Sequence, residues 1–433
     1  MKIEVFPSEL NGTAIAPGSK SIAQRMIACA LMARGESIIS EYPDSDDCKA
    51  AIEIAQALGA IVVQKGNTVS IKGGFPNPFT SGIRNPKEEI MCGESGLASR
   101  MFIPIIALYD KPILVNGKGS LLKRTFHDFN EILPQLGVKI ESNDGLLPIN
   151  VCGPVTPGEV TMNGSRSSQF LTGLLMALPR ANGRSLVHVE DLKSAPYIMM
   201  TLQVMEKFGV KVYHHQLKDF EIVNATYSPV RLSVPGDWSG AAFLMVAGAL
   251  CAESGLKISN LDHSIEQADR RIIDVLKMAG VRLEEEENAV TVFASEISAF
   301  EFDANDCPDL FPPLAALAAF ADGVSTIHGV KRLIHKESNR GRTIQQEFAK
   351  ANIRISLRDD EMRIYPASVR RAIINSHNDH RIAMAATILG LAGDRMTIRG
   401  AECVAKSFPE FFQVIESLQG KIQSNTSLYA GQA

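Results

Sequence analysis

The 433-residue sequence predicts an α/β protein of the α+β kind, with two domains built from six βαβαββ repeats. Three observations support this prediction. Nearly the same residue pattern ends a helix about every seventy residues, and wholly apolar helices alternate with amphipathic ones. Short runs in which apolar and polar residues alternate, as in strands, follow the amphipathic helices. A helix that is apolar on every side is typical of a domain interior. We therefore expect three buried, parallel helices at the centre of each domain.

The repeat is clearest where the amphipathic helices end. Each ends at Gly or Asn, the residue types that adopt the left-handed conformation just after a helix. These positions are Gly59, Gly137, Gly209, Gly280, Asn352 and Gly420, at spacings of 78, 72, 71, 72 and 68 residues. Alternating runs such as 139–142 and 147–151 follow and predict pairs of strands joined by a turn.

The other helix of each repeat has a sharp polar start and an apolar body. The starts are 18–21, 93–96, 165–169, 236–239, 306–309 and 378–381. The residues that follow, as in 170–178 and 383–391, are apolar or small, which predicts burial. The alternate helices, such as 268–278, are charged on one side and belong on the outside of the domain.

The repeats also predict the domain boundaries. Residues 234–243 echo 16–21, as though the chain restarts there. Because each repeat begins with a strand, the N-terminal strand is expected to belong with the later half. We therefore predict a discontinuous domain I of 1–19 plus 236–424, a domain II of 20–235, and a flexible tail at 425–433.

Composition excludes several classes of protein. The net charge of −4 provides no general basic field for nucleic acid or an anionic membrane. The start of the chain does not have the pattern of a signal peptide, and no apolar run approaches the length of a membrane span. Seven scattered cysteines and nine histidines lack metal-ligand spacing. We expect a cytoplasmic monomer without a metal.

Functional groups are expected at the starts of the buried helices. The segment 16–25 breaks a strand and opens a helix, whose free backbone N–H groups and dipole favour an anion. Lys20, Ser21 and Arg25 add positive charge and a hydroxyl there. An ordinary capped helix with a surface lysine fits this segment equally well. It is not a P-loop, because the required glycine and lysine spacing is absent.

If the buried helices run parallel, their polar starts meet on one face of each domain, and two such faces form a cleft with several positive helix ends. This brings together Lys20, Ser21, Arg25, Ser167, Ser168, Gln169, Asp309, His380 and Arg381, with further clusters at 123–124, 335–340 and 405–410. Many cations with two or three carboxylates suit polyanionic substrates and acid–base chemistry.

Each of these residues also has a structural interpretation. Asp309 by itself fits a helix-capping carboxylate better than a base. Lys336, Glu337 and Arg340 fit a solvated helix face with ion pairs at short spacing. His380 alone would more often be structural. Their common position in a sixfold repeat is what favours function.

At these residues the sequence resembles the 5-enolpyruvylshikimate-3-phosphate synthases, a family of enolpyruvyl transferases, from about residue 3 to 412. The motifs are PGSKS at 17–21 with Arg25, SSQFLT at 167–172, KES at 336–338 with Arg340, NDHR at 378–381 with Met384, and KSFP at 406–409. The resemblance implies a two-domain inside-out α/β barrel of six βαβαββ units that closes over its substrates.

The resemblance also assigns substrates to residues. Shikimate 3-phosphate would be bound by Lys20, Ser21, Arg25, Ser167, Ser168, Gln169, Ser194, Tyr197, Asp309 and Lys336. Phosphoenolpyruvate would be bound by Lys20, Gly96, Arg124, Gln169, Arg340, Arg381 and Lys406. Several cations are needed because the phosphate and carboxylate of phosphoenolpyruvate together carry almost three charges.

The implied mechanism is addition–elimination at carbon 2 of phosphoenolpyruvate through a tetrahedral intermediate, in the shikimate pathway to chorismate and the aromatic amino acids. Asp309 would accept the proton of the 5-hydroxyl, and Glu337 would protonate the methylene carbon. Lys20, with His380 and Lys406 nearby, would stabilise the departing phosphate. No metal or organic cofactor is implied.

The chain departs from the common family pattern in places. Glu94 and Leu97 stand where many members have Asn and Thr, Asn339 replaces an aspartate, and Arg332 stands where some members have asparagine. The first two leave sensitivity to the inhibitor glyphosate open. Two alternatives remain. One is the sister transferase acting on UDP-N-acetylglucosamine, whose loop cysteine is missing from 111–124, and the other is a non-catalytic anion-binding protein.

Overall fold

The computed structural model describes residues 1–75, 86–334 and 336–424. The predicted flexible tail at 425–433 and the first residue of the 335–340 cluster lie outside the described residues. Among the helices that are described, none is long and apolar enough to cross a membrane.

Contacts divide the chain into two compact units. The first contains Met1–Pro17, Gly236–His263 and the described part of Ala268–Ala433. The second contains Gly18–Pro235 and Ser264–Gln267.

Short strands and helices alternate along the chain. The strands are β1 (Lys2–Phe6), β2 (Gly12–Ile15), β3 (Glu36–Ser40), β4 (Ile61–Lys65), β5 (Thr68–Lys72), β6 (Glu89–Met91), β7 (Ile113–Asn116), β8 (Lys139–Asn143), β9 (Leu146–Cys152), β10 (Glu159–Asn163), β11 (Ser185–Glu190), β12 (Tyr213–His215), β13 (Asp219–Ile222), β14 (Arg231–Ser233), β15 (Leu256–Ser259), β16 (Leu283–Glu285), β17 (Ala289–Val292), β18 (Glu301–Asp303), β19 (Ser325–His328), β20 (Arg354–Arg358), β21 (Glu361–Tyr365), β22 (Ala372–Asn375), β23 (Met396–Arg399) and β24 (Lys421–Ser424). The α-helices are α1 (Lys20–Met32), α2 (Asp46–Ala57), α3 (Gly96–Ile106), α4 (Asp128–Ile132), α5 (Ser168–Ala177), α6 (Ala195–Lys207), α7 (Trp238–Cys251), α8 (Ile272–Met278), α9 (Phe311–Ala318), α10 (Arg340–Lys350), α11 (His380–Ala392) and α12 (Phe411–Ser417).

The strands of the described residues form six four-stranded sheets with one topology, three in each unit. In each sheet an outer strand pairs in parallel with its neighbour, and the remaining pairs are antiparallel. The sheet orders are β14-β3-β5-β4, β6-β7-β9-β8 and β10-β11-β13-β12 in the second unit, and β2-β15-β17-β16, β18-β19-β21-β20 and β22-β23-β1-β24 in the first. The predicted six βαβαββ repeats are therefore confirmed.

Two strands do not join the sheet of the repeat whose buried helix follows them in the chain, but pair with a strand of another repeat. Strand β2 leads directly into α1, but it pairs in parallel with β15, with Gly12 opposite Leu256. Strand β14 leads into α7, but it pairs in parallel with β3, with Arg231 opposite Ile38. This exchange explains why the N-terminal segment lies in the unit formed mainly by the later half of the chain.

Buried helices form the interior of each unit, as the apolar patterns predict. Every residue of α7 except Leu250 is buried, and α7, α9 and α11 pack on one another. In the second unit α3 packs on both α1 and α5. The approach of α5 to α3 is so close that a Cβ atom at Gly173 would lie 2.6 Å from the carbonyl oxygen of Met101. Small residues let these helices pack without a gap.

Five of the six predicted left-handed helix ends are confirmed, with positive φ at Gly59, Gly137, Gly209, Gly280 and Asn352. The sixth prediction is wrong, because Gln419, with φ of 73°, takes this conformation instead of Gly420. Position 420 requires glycine for another reason. A Cβ atom there would lie 2.8 Å from the carbonyl oxygen of Ile415, so only glycine permits this backbone approach.

Candidate active site

In the first unit, three cations converge on the carboxylate of Asp309. Its Oδ1 accepts hydrogen bonds from Arg340 Nη1 at 2.7 Å and from Lys336 Nζ at 3.2 Å, and its Oδ2 accepts one from Arg381 Nη2 at 3.1 Å. Asp309 lies in the one-turn 3₁₀ helix Pro308–Leu310, just before α9. Lys336 precedes α10, while Arg340 and Arg381 lie in the first turns of α10 and α11. Three separate helix starts thus supply one cluster.

Arg340 joins this cluster to a second carboxylate. Its side chain is buried, and its Nε donates to Asp379 Oδ2 at 2.9 Å. Its Nη2 donates to Glu337 as well as to Asp379. Burial alone would lower the pKa of Arg340, but the charges of Asp379, Glu337 and Asp309 outweigh it and raise that pKa. The guanidinium is therefore fixed in position and charged.

The same charges set the ionisation of Asp309. Burial raises the pKa of its carboxyl, but Arg381, Lys336 and Arg340 together overcome this and hold the pKa well below its usual value. Burial lowers the pKa of Lys336, and the charge of Asp309 opposes that shift. In this form Asp309 is a carboxylate with no proton to give and, with three cations bound, little tendency to take one.

The start of α11 contributes further groups. Asp379 caps this helix by accepting a hydrogen bond from the Arg381 backbone N–H at 3.1 Å. Lys406 Nζ donates to the carbonyl oxygen of Asn378 at 2.9 Å, and Lys406 is only 8% exposed. His380, the first residue of α11, is also buried.

In the second unit, the start of α1 carries an ion pair. Lys20 Nζ lies 2.7 Å from Oδ2 of Asp47, which belongs to the first turn of α2. Both side chains are 13% exposed. The sequence predicts the positive charge at this helix start but not the carboxylate that holds it.

Arg25 lies one turn further along α1 and faces inward. Its Nε donates to Thr201 Oγ1 at 2.9 Å, and its Nη1 donates to the Ser21 carbonyl at 2.8 Å. Its Nη2 reaches the carbonyl oxygen of Tyr197 at 3.4 Å. Burial lowers the pKa of Arg25 to about 10, although the charges of Tyr197 and Cys29 act to raise it. Arg25 therefore ties α1 to the first turns of α6.

Gln169 is held by Arg100, which is not among the site residues predicted from the sequence. Arg100 Nη1 donates to Gln169 Oε1 at 2.9 Å, and Arg100 Nη2 donates to the Thr125 carbonyl at 3.1 Å. The guanidinium also lies 5.1 Å from the ring centre of Phe126 and 5.3 Å from that of Phe170. Such cation–π contacts keep the arginine, and through it the amide, in place.

The serines around Gln169 and α6 occupy helix starts. Ser167 caps α5, since its Oγ accepts a hydrogen bond from the Gln169 N–H at 3.2 Å. Ser168, the first residue of α5, is 6% exposed. Ser194 precedes α6 in the left-handed conformation, with φ of 57°. Tyr197 lies in the first turn of α6 and is half-buried.

Gly96 and Arg124 lie against each other. A Cβ atom on Gly96 would be 2.1 Å from Arg124 Nη1, so the absence of a side chain lets the guanidinium approach the start of α3. Of the unusual residues nearby, Leu97 is 9% exposed and packs in the core, while Glu94 accepts a hydrogen bond from Ser120 Oγ at 3.0 Å.

The structure thus brings the predicted residues together in groups within each unit. Asp309, Lys336, Glu337, Arg340 and Arg381 form one network. Four smaller groups in the second unit join predicted residues with each other or with a partner: Lys20 with Asp47, Arg25 with Ser21 and Tyr197, Ser167 with Gln169 and Arg100, and Gly96 with Arg124.

Three charged residues of these groups, Asp379, Asp47 and Arg100, are not among the predicted site residues. Asp379 stands inside the NDHR motif, and Asp47 follows a capping serine, which is a usable signal. Arg100 has no such local signal.

No metal site is evident among the described residues, where no three His, Cys, Asp or Glu side chains are arranged to hold an ion. All seven cysteines are free thiols.

Comparison with known proteins gives one consistent family. The sequence model of EPSP synthase (3-phosphoshikimate 1-carboxyvinyltransferase) matches residues 6–415. The 3-phosphoshikimate 1-carboxyvinyltransferase of Clostridium kluyveri is 35% identical over 424 residues, with 97% of this chain and 98% of that protein covered. That of Clostridioides difficile is 32% identical over 429 residues, with 97% and 98% covered.

Solved structures agree in fold. An EPSP synthase from Acinetobacter baumannii superposes with a TM-score of 0.80 at 23% identity, covering 98% of this chain and all of that one. The enolpyruvyl transferase NikO from Streptomyces tendae gives 0.75 at 18% identity, with 98% of each chain covered. From the extent of the family match and the identity of these relatives, the chain belongs to the EPSP synthase family.

Proposed function

We propose that this chain transfers the enolpyruvyl group of phosphoenolpyruvate to the 5-hydroxyl of shikimate 3-phosphate, releasing phosphate. The product is 5-enolpyruvylshikimate 3-phosphate, an intermediate in the shikimate pathway to chorismate and the aromatic amino acids. The observation that carries the proposal is the carboxylate of Asp309 with three cations around it. Membership of the family supports the choice of substrates.

Shikimate 3-phosphate is assigned to groups that offer hydroxyls and positive charge at helix starts. Its proposed residues are Lys20, Ser21, Arg25, Ser167, Ser168, Gln169, Ser194, Tyr197, Asp309 and Lys336. The start of α5 supports this assignment, because backbone N–H groups and serine hydroxyls together suit a phosphate. Arg25 supports it differently, by joining the start of α1 to that of α6.

Phosphoenolpyruvate is assigned to the strongest cations. Its proposed residues are Lys20, Gly96, Arg124, Gln169, Arg340, Arg381 and Lys406. The burial of Arg340, Arg381 and Lys406 supports this assignment, since buried cations interact strongly with an anion in a low dielectric. The contact between Gly96 and Arg124 supports the pairing of backbone and guanidinium.

Proton transfer is assigned to Asp309 and Glu337. Asp309 would accept the proton of the 5-hydroxyl, and this requires a more basic carboxylate than the one held by three cations here. Phosphoenolpyruvate supplies the change, because its anionic groups draw Arg340 and Arg381 towards themselves and so raise the pKa of Asp309. Glu337, which is also paired with Arg340, would then carry the proton for the methylene carbon.

Departure of phosphate is assigned to Lys20, His380 and Lys406. Lys20 is kept partly buried by Asp47, and Lys406 is buried at the start of α11, so both charges are fixed before the reaction begins. Fixed charges that need no reorganisation are the effective ones in catalysis.

We further propose that the two compact units are the two domains of the enzyme, predicted as 1–19 plus 236–424 and 20–235. The chain would act on its small-molecule substrates as a cytoplasmic monomer without a cofactor.

A phosphate-release assay tests the function. Purified protein with phosphoenolpyruvate should release phosphate with shikimate 3-phosphate as acceptor, and far less with UDP-N-acetylglucosamine. The segment 111–124, which lacks a cysteine, supports that preference. Turnover with UDP-N-acetylglucosamine but not with shikimate 3-phosphate would show that the chain is the sister transferase. Binding of phosphoenolpyruvate without turnover of either acceptor would favour a non-catalytic anion-binding protein.

A further inference from the structure

Asp269 is a buried carboxyl that the proposed mechanism does not use. It lies in the 3₁₀ turn Ala268–Arg271, ahead of α8 in the first unit. Its side chain is 5% exposed, and its Oδ1 has no hydrogen-bond partner among the described residues. A buried carboxylate oxygen without a donor is costly and calls for an explanation.

The groups around Asp269 come from three other elements. Asp237 at the start of α7, Asp309 before α9, and Arg381 in α11 all interact with it electrostatically. Burial and the negative charge of Asp269 also raise the pKa of the Cys307 thiol. The positive charge of Arg381 therefore interacts with three carboxylates, those of Asp309, Asp269 and Asp237. Arg381 is itself only 4% exposed.

Of the three carboxylates, Asp269 is the one that can accept a proton most easily. Asp309 binds three cations, which keep it charged. Asp237 caps α7 by accepting a hydrogen bond from the Ser239 N–H at 3.3 Å, and a helix start favours a negative charge. Burial and the charge of Asp309 raise the pKa of Asp269 to about 7, while Arg381 opposes the rise.

We propose that Asp269 is a positioning residue for Arg381 and that it takes up one proton from solvent when phosphoenolpyruvate binds. While the site is free, the negative charge of Asp269 attracts the guanidinium of Arg381 without a direct hydrogen bond to it. An anion at Arg381 adds negative charge to a site that already has three carboxylates. Protonation of an Asp269 oxygen removes one of them, so that Arg381 can turn its positive charge to the substrate. The inference rests on the proposed function in one respect, the assignment of phosphoenolpyruvate to Arg381.

Calorimetry of phosphoenolpyruvate binding, in buffers of different ionisation enthalpy at pH 7.5 and without the acceptor, tests this inference. The heat difference between buffers gives the protons taken up. We expect up to about three-quarters of a proton more per ligand in the unaltered protein than in Asp269→Asn, since a carboxyl with a pKa of about 7 is about one-quarter protonated at pH 7.5 before binding. The ionisation of the ligand phosphate contributes equally to all variants.

Two variants serve as controls. Asp274→Asn changes an exposed aspartate on the next turn, in α8, and should leave proton uptake unchanged. Asp269→Glu keeps a carboxyl and should restore part of the uptake. Fluorescence of Trp238, the single tryptophan, monitors whether the unit around these residues is folded in each variant.

The outcomes separate the inference from the function. Uptake that is lost in Asp269→Asn and kept in Asp274→Asn supports the inference. Equal uptake in all variants, with normal phosphate release in the assay, overturns the inference and leaves the function standing. Absence of phosphoenolpyruvate binding in the unaltered protein overturns the inference, whereas the function is overturned only if no phosphate is released with both substrates present.

Discussion

Arg340 Nη1 lies 2.7 Å from Asp309 Oδ1, so the proposed base and a proposed substrate-binding cation are bonded to each other in the described form. The same holds for Arg381, 3.1 Å from Oδ2. An anionic substrate at the proposed site would compete with Asp309 for these cations. In the proposed mechanism, substrate binding and activation of the base are therefore linked through the same hydrogen bonds.

Replacing Asp309 by Asn should abolish most turnover. The amide cannot accept the hydroxyl proton, and loss of a general base costs about 10²- to 10⁴-fold in rate. We expect this loss in kcat, measured by phosphate release, with KM values changed much less. Asp306→Asn, in the segment just before the 3₁₀ turn, is the control and should remain active. A kcat of Asp309→Asn close to that of the unaltered enzyme would show that Asp309 is not the general base.

Replacing Asp47 by Asn should weaken catalysis through Lys20. The change breaks an ion pair of 2.7 Å between two side chains that are largely shielded from water. A charge-assisted hydrogen bond contributes about 1.5–3 kcal/mol, so kcat/KM for phosphoenolpyruvate should fall roughly 10- to 100-fold.

Asp46→Asn is the matched control for Asp47. Asp46 precedes Asp47 in the first turn of α2 but is exposed. It should alter kcat/KM little. Equal effects of the two variants would mean that α2, rather than the position of Lys20, is responsible.

Replacing Gly96 by Ala should displace Arg124 and weaken phosphoenolpyruvate binding. The new Cβ would lie 2.1 Å from Nη1, and the end of this arginine can move aside. We expect KM for phosphoenolpyruvate to rise by roughly tenfold, the effect of losing about 1.4 kcal/mol of binding, while stability changes little. Gly158→Ala, whose Cβ would meet only Leu136 at 3.8 Å, should leave KM unaltered. An unchanged KM in Gly96→Ala would show that Arg124 does not need this approach.

Stability should fall as pH rises towards neutrality because of Asp269. Its folded-state pKa of about 7 exceeds the ordinary value of 3.8, so the folded chain binds more protons than the unfolded chain between these values. The stabilisation is complete below the ordinary value and is lost as pH rises through 7. The slope is at most about 1.4 kcal/mol per pH unit. Asp309, whose pKa is lowered, acts in the opposite sense and only at more acidic pH.

Urea unfolding followed by Trp238 fluorescence at pH 5 to 8 measures this effect. The free energy of unfolding of the unaltered chain minus that of Asp269→Asn should fall from pH 5 to about pH 7 and then level off. Asp274→Asn should parallel the unaltered chain. A difference independent of pH would contradict the raised pKa of Asp269.

The amino-acid sequence by itself determined the repeats, the buried helices and most helix starts. These are local properties, since apolar periodicity and helix-ending residues act within a few turns of chain. Five of the buried helices begin inside the predicted polar segments. α9 begins later, at Phe311, because the 3₁₀ turn containing Asp309 comes first.

Only the tertiary structure decided which charges meet and which strands pair. Asp309 and Arg381 are 72 residues apart in the chain, and Lys20 and Asp47 are 27 apart. Nothing local distinguishes Asp309 as a helix cap from Asp309 as the centre of three cations. Ion pairs and strand pairing depend on which helices and sheet edges pack together, and β2 pairs with a strand more than 240 residues away. Packing across the repeats therefore determines the chemistry of the residues that the repeats bring to each helix start.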